Sequence, residues 1–227
     1  MVLKMGGSLI QDERGDIRVE KFAEYAKVIL KLREENIEIT SIIVGGGKTA
    51  RKYIEAARKL GAAEGLSDEI GIRAAQLNAQ IMVGALDRAA YPTIPDTLQE
   101  VAEATATGKI VVVGGLQPGQ STNAVAALVA ERVKADILIN ATNVDGVYTR
   151  DPKKDPRAEK LDQVTINEIQ EIINDKAFFA GKYELFDMVA LKILERSKIT
   201  TWIINGEDPE NILRIIAGEK IGTRIIY

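Results

Sequence analysis

The sequence predicts an α/β fold in which helices cover both faces of a central sheet. Short apolar runs alternate with longer amphipathic segments along the whole chain, and this alternation is typical of α/β proteins. The 227 residues are 46% hydrophobic, which suits a globular core. No internal repeat or low-complexity tract interrupts the pattern. A chain of this length fits one large domain or two small lobes. We expect a single domain that spans residues 1–227.

Six short apolar runs are predicted as strands. They are Val2–Met5, Ile39–Val44, Ile110–Val113, Ile137–Ile139, Thr201–Ile204 and Arg224–Ile226. Apolar residues recur at helical spacing in the segments between them. The predicted helices are Val19–Arg33, Thr49–Lys59, Ile70–Arg88, Thr97–Ala106, Thr122–Val133, Ile166–Ile173, Met188–Arg196 and Pro209–Ile216.

Most of the predicted strands end in glycine or in a polar residue. These ends are Gly6–Gly7, Gly45–Gly47, Gly114–Gly115, Asn140 and Asn205–Gly206. In open α/β sheets, ligands bind beyond the carboxyl ends of the strands. We therefore expect these turns to converge on the binding site.

Charge and missing residue types exclude several classes of function. With 30 basic and 33 acidic residues, the net charge is −3, so no broad basic field attracts nucleic acid or an anionic membrane. The sequence contains no Cys and no His, which excludes zinc enzymes and Ser-His hydrolases. It has neither a signal-peptide pattern nor an apolar run approaching the roughly 20 residues of a membrane span. These features indicate a cytoplasmic protein.

The residues around the end of the first strand suit phosphate chemistry. Lys4 lies near the strand end, and the Gly6–Gly7 backbone and Ser8 can approach a phosphate closely. Lys4 would neutralise the charge that develops on a transferring phosphoryl group. The alternative is an ordinary strand-to-helix turn with an incidental surface lysine.

A second glycine-rich turn, Gly45–Thr49, follows the second strand. It is not a Walker A motif, because Ile42 occupies the position where that motif requires its first glycine. It matches the dinucleotide fingerprint only weakly, because Asp68 precedes a helix instead of ending a strand. The favoured interpretation is anion binding by the amides of the following helix, with Arg51 adding charge.

Two polar segments could hold a nucleotide. The loop Gly114–Asn123 carries a surplus of backbone and amide hydrogen-bonding groups, which suits the edge of a base. The segment Asn143–Pro156 follows a strand and combines an Asp-Gly turn, an aromatic residue and two Asp-Pro pairs. Its Asp145-Gly146 pair also fits an ordinary tight turn.

Several polar residues have a structural alternative as helix caps. Ser121 or Thr122 fits the N-cap of the helix that follows the polar loop. Ser67 with Asp68 fits a capping pair at the start of the third helix, and Asp187 fits the cap of the helix that begins at Met188.

Together, the glycine turns and the Asn143 segment resemble the amino acid kinase family over nearly the whole chain. Within that family the pattern is most similar to the archaeal-type uridylate kinases. The motifs that carry the likeness are Lys4-x-Gly-Gly-Ser8, Gly45-Gly-Gly-Lys-x-Ala-Arg51, Asp68-x-Ile-Gly-Ile72, Gly115-x-x-Pro-Gly-x-x-Thr122 and Asn143-Val-Asp-Gly-Val-Tyr-Thr-x-Asp-Pro152. The resemblance implies a three-layer αβα sandwich with a mostly parallel central sheet, and transfer of the γ-phosphoryl group of Mg-ATP to UMP.

The resemblance also implies roles for individual residues. Lys4 and Arg51 would be catalytic. ATP would bind Gly7, Ser8, Gly47, Arg51, Thr142, Tyr148 and Asp151. UMP would bind Gly46, Asp68, Leu116, Gln117, Pro118, Gly119, Gln120, Ser121 and Thr122. Residues 1–133 would form the acceptor lobe and residues 134–227 the ATP lobe. Mg²⁺ would be held mainly through the nucleotide phosphates, without dedicated protein ligands.

The resemblance further implies a homo-oligomer, specifically a hexamer, with small-molecule substrates. The sequence departs from it at Asn123, where many relatives carry Asp, and in residues 178–186. Other family kinases, acting on glutamate, aspartate, acetylglutamate, carbamate or isopentenyl phosphate, are the nearest alternatives. A non-catalytic nucleotide sensor and a nicotinamide-dependent oxidoreductase are more distant ones.

Overall fold

The computed structural model describes residues 1–150, 152, 155–174 and 187–227. Within these residues the strands, in chain order, are β1 (Val2–Met5), β2 (Ser41–Val44), β3 (Val111–Val113), β4 (Ile137–Thr142), β5 (Val147–Tyr148), β6 (Lys160–Leu161), β7 (Gln163–Thr165), β8 (Thr200–Asn205) and β9 (Thr223–Ile226). Seven of them form the main sheet, in the order β3-β2-β1-β4-β8-β9-β7. Neighbouring strands of this sheet are parallel except β8 and β9, and β5 pairs with β6 in a separate hairpin.

The helices lie between the strands, as the alternating pattern predicts. They are α1 (Val19–Glu34), α2 (Gly47–Lys59), α3 (Glu64–Leu86), α4 (Leu98–Thr105), α5 (Thr122–Arg132), α6 (Ile166–Asn174), α7 (Met188–Ser197) and α8 (Glu210–Ile216), with a 3₁₀ turn at Asp87–Ala89. Within the described ranges, none of them is long and apolar enough to cross a membrane.

The sheet separates two apolar clusters, which gives the chain its three layers. Along β1 the side chains alternate, so Leu3 packs with α1, α3 and α8 while Val2 packs with α4, α5 and α7. The predicted α/β fold, an αβα sandwich with a mostly parallel sheet, is confirmed. Strands covered on both faces are mainly apolar. The strands β1, β2 and β3 are fully buried, and their polar residues are Lys4 in β1 and Ser41 in β2.

Helix α5 lies close against the centre of the sheet because its inner positions are small. Its buried residues are Ala124, Val125, Ala126, Ala127, Val129 and Ala130. Alanine and valine let the helix axis approach β1, β2 and β4, which it contacts. The N-terminus of α5 therefore lies over the carboxyl ends of these strands.

The structure corrects two boundaries of the predicted elements. Helix α3 begins at Glu64, after Ala63 in extended backbone, so Ser67 and Asp68 lie inside the helix and the predicted capping pair is wrong. Strand β4 continues to Thr142, because its polar end still pairs with Asn205 of β8. Strands β5, β6 and β7 were not predicted, since two or three residues are too few to show periodicity.

Candidate active site

The carboxyl ends of five parallel strands lie along one edge of the sheet. Strands β3, β2, β1, β4 and β8 run in the same direction. The turns that follow them therefore meet at this edge, and they contain the predicted glycine residues. The predicted asparagines belong to the strands, because Asn140 lies inside β4 and Asn205 is the last residue of β8. This is the edge at which open α/β sheets bind ligands.

The turns after β1 and β2 interlock through their glycine backbones. A Cβ atom on Gly7 would lie 2.1 Å from the amide nitrogen of Gly47, and one on Gly45 would lie 2.6 Å from the amide of Gly7. No side chain fits in either place. The close approach brings the peptide groups of both turns into one surface, where an anion can meet amides from each.

Two buried amide side chains fix the turn between β2 and α2. Asn78 of α3 donates to the carbonyl oxygens of Gly45 and Gly46 at 2.9 and 3.2 Å. Gln11 accepts from the amide of Thr49 at 3.0 Å and donates to Gly46 O at 3.4 Å. Gly47 has φ +67°, in the left-handed region that favours glycine. The turn is thus held from two sides.

Lys4 points from β1 into the face of the sheet that α5 covers. It is 8% exposed, and burial lowers the pKa of its ammonium group from 10.5 to about 8. Its register partners are Ile43 and Asn140, so these side chains share its face. A buried ammonium without a compensating carboxylate attracts an anionic ligand strongly.

Asn140 lies beside Lys4 and has an unused acceptor. Its Nδ2 donates to Asn123 Oδ1 at 3.4 Å, whereas its buried Oδ1 has no hydrogen-bond partner among the described residues. Asn123 is in the first turn of α5. The site around Lys4 therefore contains two neutral amides, and the absence of a carboxylate at Asn123 is consistent with the low pKa of Lys4.

Asp68 and the polar loop are in direct contact. The Asp68 carboxylate accepts from the amide of Gly119 at 2.8 Å. The residues from Gln117 to Gly119 are exposed, and Leu116 packs against the core. Asp68 and the loop thus form one continuous surface, although Asp68 reaches it from the second turn of α3.

Ser121 is the N-cap of α5, as the structural alternative for this residue predicted. Its hydroxyl accepts from the amides of Asn123 and Ala124, both at 3.1 Å, and donates to Asp187. Asp187 in turn caps α7 by accepting from the amide of Ala190 at 2.8 Å, as predicted. Two caps therefore join the end of the polar loop to α7.

The hairpin after β4 carries Tyr148. The Tyr148 hydroxyl donates to Asp145 at 2.9 Å, and this hydrogen bond raises the pKa of Tyr148. Thr223 of β9 accepts from the amide of Val147 at 2.8 Å and anchors the hairpin to the sheet. Thr142 ends β4, the neighbour of β1. The predicted ATP contact Asp151 lies outside the described residues, as does the segment 178–186.

The structure brings most of the predicted residues together in two groups, while Thr142 ends β4 and Tyr148 lies in β5. Lys4, the Gly7–Ser8 turn and Gly46–Gly47 lie at the ends of β1 and β2, with Arg51 exposed in the second turn of α2. Asp68 and the loop from Leu116 to Thr122 form the other group. Asn140 was predicted only as a polar strand end at the site. Gln11 and Asn78 were not predicted, because nothing in the local sequence distinguishes them from ordinary surface or core amides.

Comparison with known proteins gives full-length matches. The model of the amino acid kinase family matches residues 1–205. The uridylate kinase of Methanothermobacter thermautotrophicus is 46% identical over 226 residues, which cover 100% of this chain and 98% of the relative. The uridylate kinase of Methanobrevibacter smithii is 44% identical with the same coverage.

A solved structure agrees with these matches. The crystal structure of uridylate kinase from Archaeoglobus fulgidus has a TM-score of 0.86 at 44% identity and covers 99% of this chain and 98% of that one. The family model covers most of the chain, and the relatives match it over nearly their whole length. The chain belongs to the amino acid kinase family.

Proposed function

We propose that this protein is a UMP kinase that transfers the γ-phosphoryl group of ATP to UMP and releases UDP and ADP. The observation that carries the proposal is the buried Lys4 beside two interlocked glycine turns. This arrangement offers one cation and two sets of backbone amides to phosphate groups. The full-length likeness to uridylate kinases selects UMP as the acceptor.

The reaction needs no general base. A 5′-phosphate oxygen of UMP attacks the γ-phosphorus of ATP, and the bond from that phosphorus to the bridging oxygen breaks. The electron pair of the broken bond remains on the β-phosphate of ADP. Because the attacking phosphate is already anionic, no proton has to be removed. A chain without histidine is therefore fully equipped for this chemistry.

Lys4 is the proposed catalytic cation. Negative charge spreads over the oxygens of the transferring group in the transition state, and a buried ammonium stabilises it more than an exposed one would. The Gly7–Ser8 turn and Gly47 would hold the donor phosphates, with Arg51 adding charge where donor and acceptor meet. Positioning and charge neutralisation together supply the rate enhancement.

The nucleoside parts would bind on either side of these phosphates. Thr142, Tyr148 and Asp151 are proposed to hold adenosine and its ribose. Asp68, whose carboxylate already contacts the loop at Gly119, would take the ribose hydroxyls of UMP. Gly46 and the loop from Leu116 to Thr122 would take the rest of UMP, largely through backbone groups.

ATP fits the residues of the site, whereas a dedicated Mg²⁺ site is not part of them. Because Gly7 and Gly45 carry no side chain, the two turns touch, and their amides can meet the same phosphate oxygens. In residues 1–150, 152, 155–174 and 187–227, no group of three or more acidic side chains could hold a metal. We propose that Mg²⁺ is held through the nucleotide phosphates, where it neutralises their charge.

Further expectations about domain organisation, assembly and location accompany the proposal. Residues 1–133 would act as the acceptor lobe and residues 134–227 as the ATP lobe of one domain, with small molecules as the only substrates. By resemblance to its family, the protein would assemble as a homo-oligomer, specifically a hexamer. It would work in the cytoplasm, in pyrimidine nucleotide biosynthesis.

An assay of ADP release tests the acceptor. Purified protein is supplied with Mg-ATP and, separately, UMP, CMP, dUMP, glutamate, aspartate, acetylglutamate, carbamate or isopentenyl phosphate. We expect ADP release with UMP at a kcat/KM at least tenfold above that for any amino acid. Release with an amino acid and not with UMP would overturn the acceptor and leave the family intact. Lys4→Met serves as the inactive control.

A further inference from the structure

The residues at the start of helix α2 have no side chain that could cap it. The first amides of a helix have no partner within the helix, and a polar side chain at the N-cap normally satisfies one of them. Here the N-cap is Gly46 and the first helical residue is Gly47, so neither has a side chain. Both must stay glycine, because a Cβ on Gly46 would lie 2.6 Å from that of Ala50 and one on Gly47 would meet Gln11 at 2.3 Å.

Gln11 supplies the missing cap from a distant part of the chain. Its Oε1 accepts from the amide of Thr49 at 3.0 Å, and its Nε2 reaches Gly46 O at 3.4 Å. The side chain is 3% exposed, and a β-bridge between Gln11 and Ile17 holds its backbone. Both of its hydrogen-bonding ends therefore have a fixed position.

The cap leaves two amides of α2 for a ligand. Ala50 donates to Gly46 O at 3.3 Å, and Thr49 donates to Gln11. Within the described part of the chain, the amides of Gly47 and Lys48 donate to no protein group. They lie at the helix end that touches the Gly7 turn. An anion at this end can accept from the amides of Gly47 and Lys48, whereas the amide of Thr49 already donates to Gln11.

We infer that Gln11 is a positioning residue for the donor phosphates. Gln11 follows the Gly7–Ser8 turn in the chain, and its side chain accepts from the amide of Thr49 and donates to Gly46 O. It thereby holds the start of α2 so that the amides of Gly47 and Lys48 face the same phosphates as the Gly7–Ser8 turn. Gln11 acts through these backbone groups and does not touch the reacting atoms. This inference rests on the proposed function, because it takes the ligand at this helix end to be ATP.

Two substitutions separate this role from simple support of the fold. Gln11→Met keeps the side-chain volume and removes both hydrogen bonds. Gln11→Glu keeps the acceptor for Thr49 and adds a negative charge beside the phosphates. Ile215→Ala, a buried truncation in α8, is the control for a general loss of stability. Each protein is measured for its KM for ATP and for UMP, its melting temperature, and its ATP dissociation constant by calorimetry.

We expect Gln11→Met to raise the KM and the dissociation constant for ATP about tenfold, the size of a lost helix cap, with the KM for UMP within twofold of wild type. Gln11→Glu should weaken ATP binding at least as much. Added salt should reduce the difference in ATP affinity between Gln11→Glu and the wild-type protein. Ile215→Ala should lower the melting temperature without this selective change.

An unchanged affinity for ATP in both Gln11 variants would overturn the inference. So would a parallel rise of both KM values, which indicates general damage, or a rise for UMP alone, which assigns this helix end to the acceptor. Calorimetry with ATP needs no acceptor. If the wild-type protein binds ATP but does not phosphorylate UMP, the proposed function fails while the role of Gln11 is still decided.

Discussion

Gly7 and Gly47 are in backbone contact, so that a Cβ atom on Gly7 would lie 2.1 Å from the amide nitrogen of Gly47. The two residues follow neighbouring parallel strands, in which Lys4 pairs with Ile43. The strand spacing brings the two turns together, and glycine at both positions lets them touch. The phosphate-binding surface is therefore a single unit made by two segments that are distant in sequence.

Gly7→Ala should abolish most of the activity. The added methyl group would meet backbone atoms of Gly47 and Gly45 that cannot move without displacing both turns. We expect kcat/KM to fall more than a hundredfold, because small displacements of positioning groups cost about that much, and stability to fall by about 1–3 kcal/mol. Steady-state kinetics and urea unfolding measure the two effects.

Gly84→Ala is the matched control for this substitution. Gly84 is exposed in α3, and a Cβ atom there would meet nothing within 4 Å. Alanine should stabilise the helix by about 0.5–1 kcal/mol and leave activity unchanged. If Gly7→Ala behaved like Gly84→Ala, the interlocked turns would not be needed for catalysis.

Lys4→Met should produce a more stable and inactive protein. Burial lowers the pKa of Lys4 from 10.5 to about 8, so the folded state carries its charge at a cost below that pH. Removing the charge while keeping the length should stabilise the fold at pH 7 by up to about 3 kcal/mol. Denaturant unfolding measures the gain. A less stable Lys4→Met protein would show that the charge is compensated in the folded state.

Activity should depend on pH through the same lysine. Catalysis requires the protonated ammonium, so kcat/KM should fall as the pH rises through about 8, the pKa in the folded protein. The free energy of unfolding should change in the opposite direction. Between pH 8 and 10.5 the unfolded chain still binds the Lys4 proton and the folded protein has lost it, so stability rises with pH in this range. A pH profile of kcat/KM that stays flat to pH 10 would remove Lys4 from the chemistry.

Substitution of Asp68 should weaken the binding of UMP and leave the binding of ATP nearly unchanged. Its carboxylate fixes the loop at Gly119 with a 2.8 Å hydrogen bond, and hydrogen bonds to charged groups contribute about 1.5–3 kcal/mol. Asp68→Ala should therefore raise the KM for UMP about ten- to a hundredfold. The KM for ATP should stay within twofold. The control is Glu69→Ala, a substitution of the exposed neighbouring residue, which should leave both KM values unchanged. If Asp68→Ala raised the KM for ATP more than the KM for UMP, the assignment of Asp68 to UMP would be contradicted.

The turns and helix caps that were predicted correctly depend on local sequence. Gly6–Gly7 and Gly45–Gly47 interrupt the apolar pattern at strand ends, and Ser121 and Asp187 stand directly before their helices. Ser67–Asp68 also has a capping pattern, but the preceding residues continue the helix to Glu64. Local chemistry therefore identifies a possible cap without showing that a helix begins there.

The remaining residues depend on contacts across the fold. Gln11 caps a helix whose first turn lies more than thirty residues away in sequence, and Asn78 reaches the Gly45 carbonyl from the middle of α3. Neither contact leaves a pattern in its own segment. Asn140 was predicted as a polar strand end, but its position beside Lys4 follows only from the pairing of β1 with β4.

The most direct test of the central claim follows the phosphoryl group itself. ATP labelled at its γ-phosphate is incubated with UMP and Mg²⁺, with either the wild-type protein or Lys4→Met, and the products are separated. We predict that the wild-type protein places the label in the β-phosphate of UDP, while Lys4→Met reduces this transfer by orders of magnitude. The account would be contradicted if wild-type protein formed no labelled UDP, or if Lys4→Met formed it at the wild-type rate.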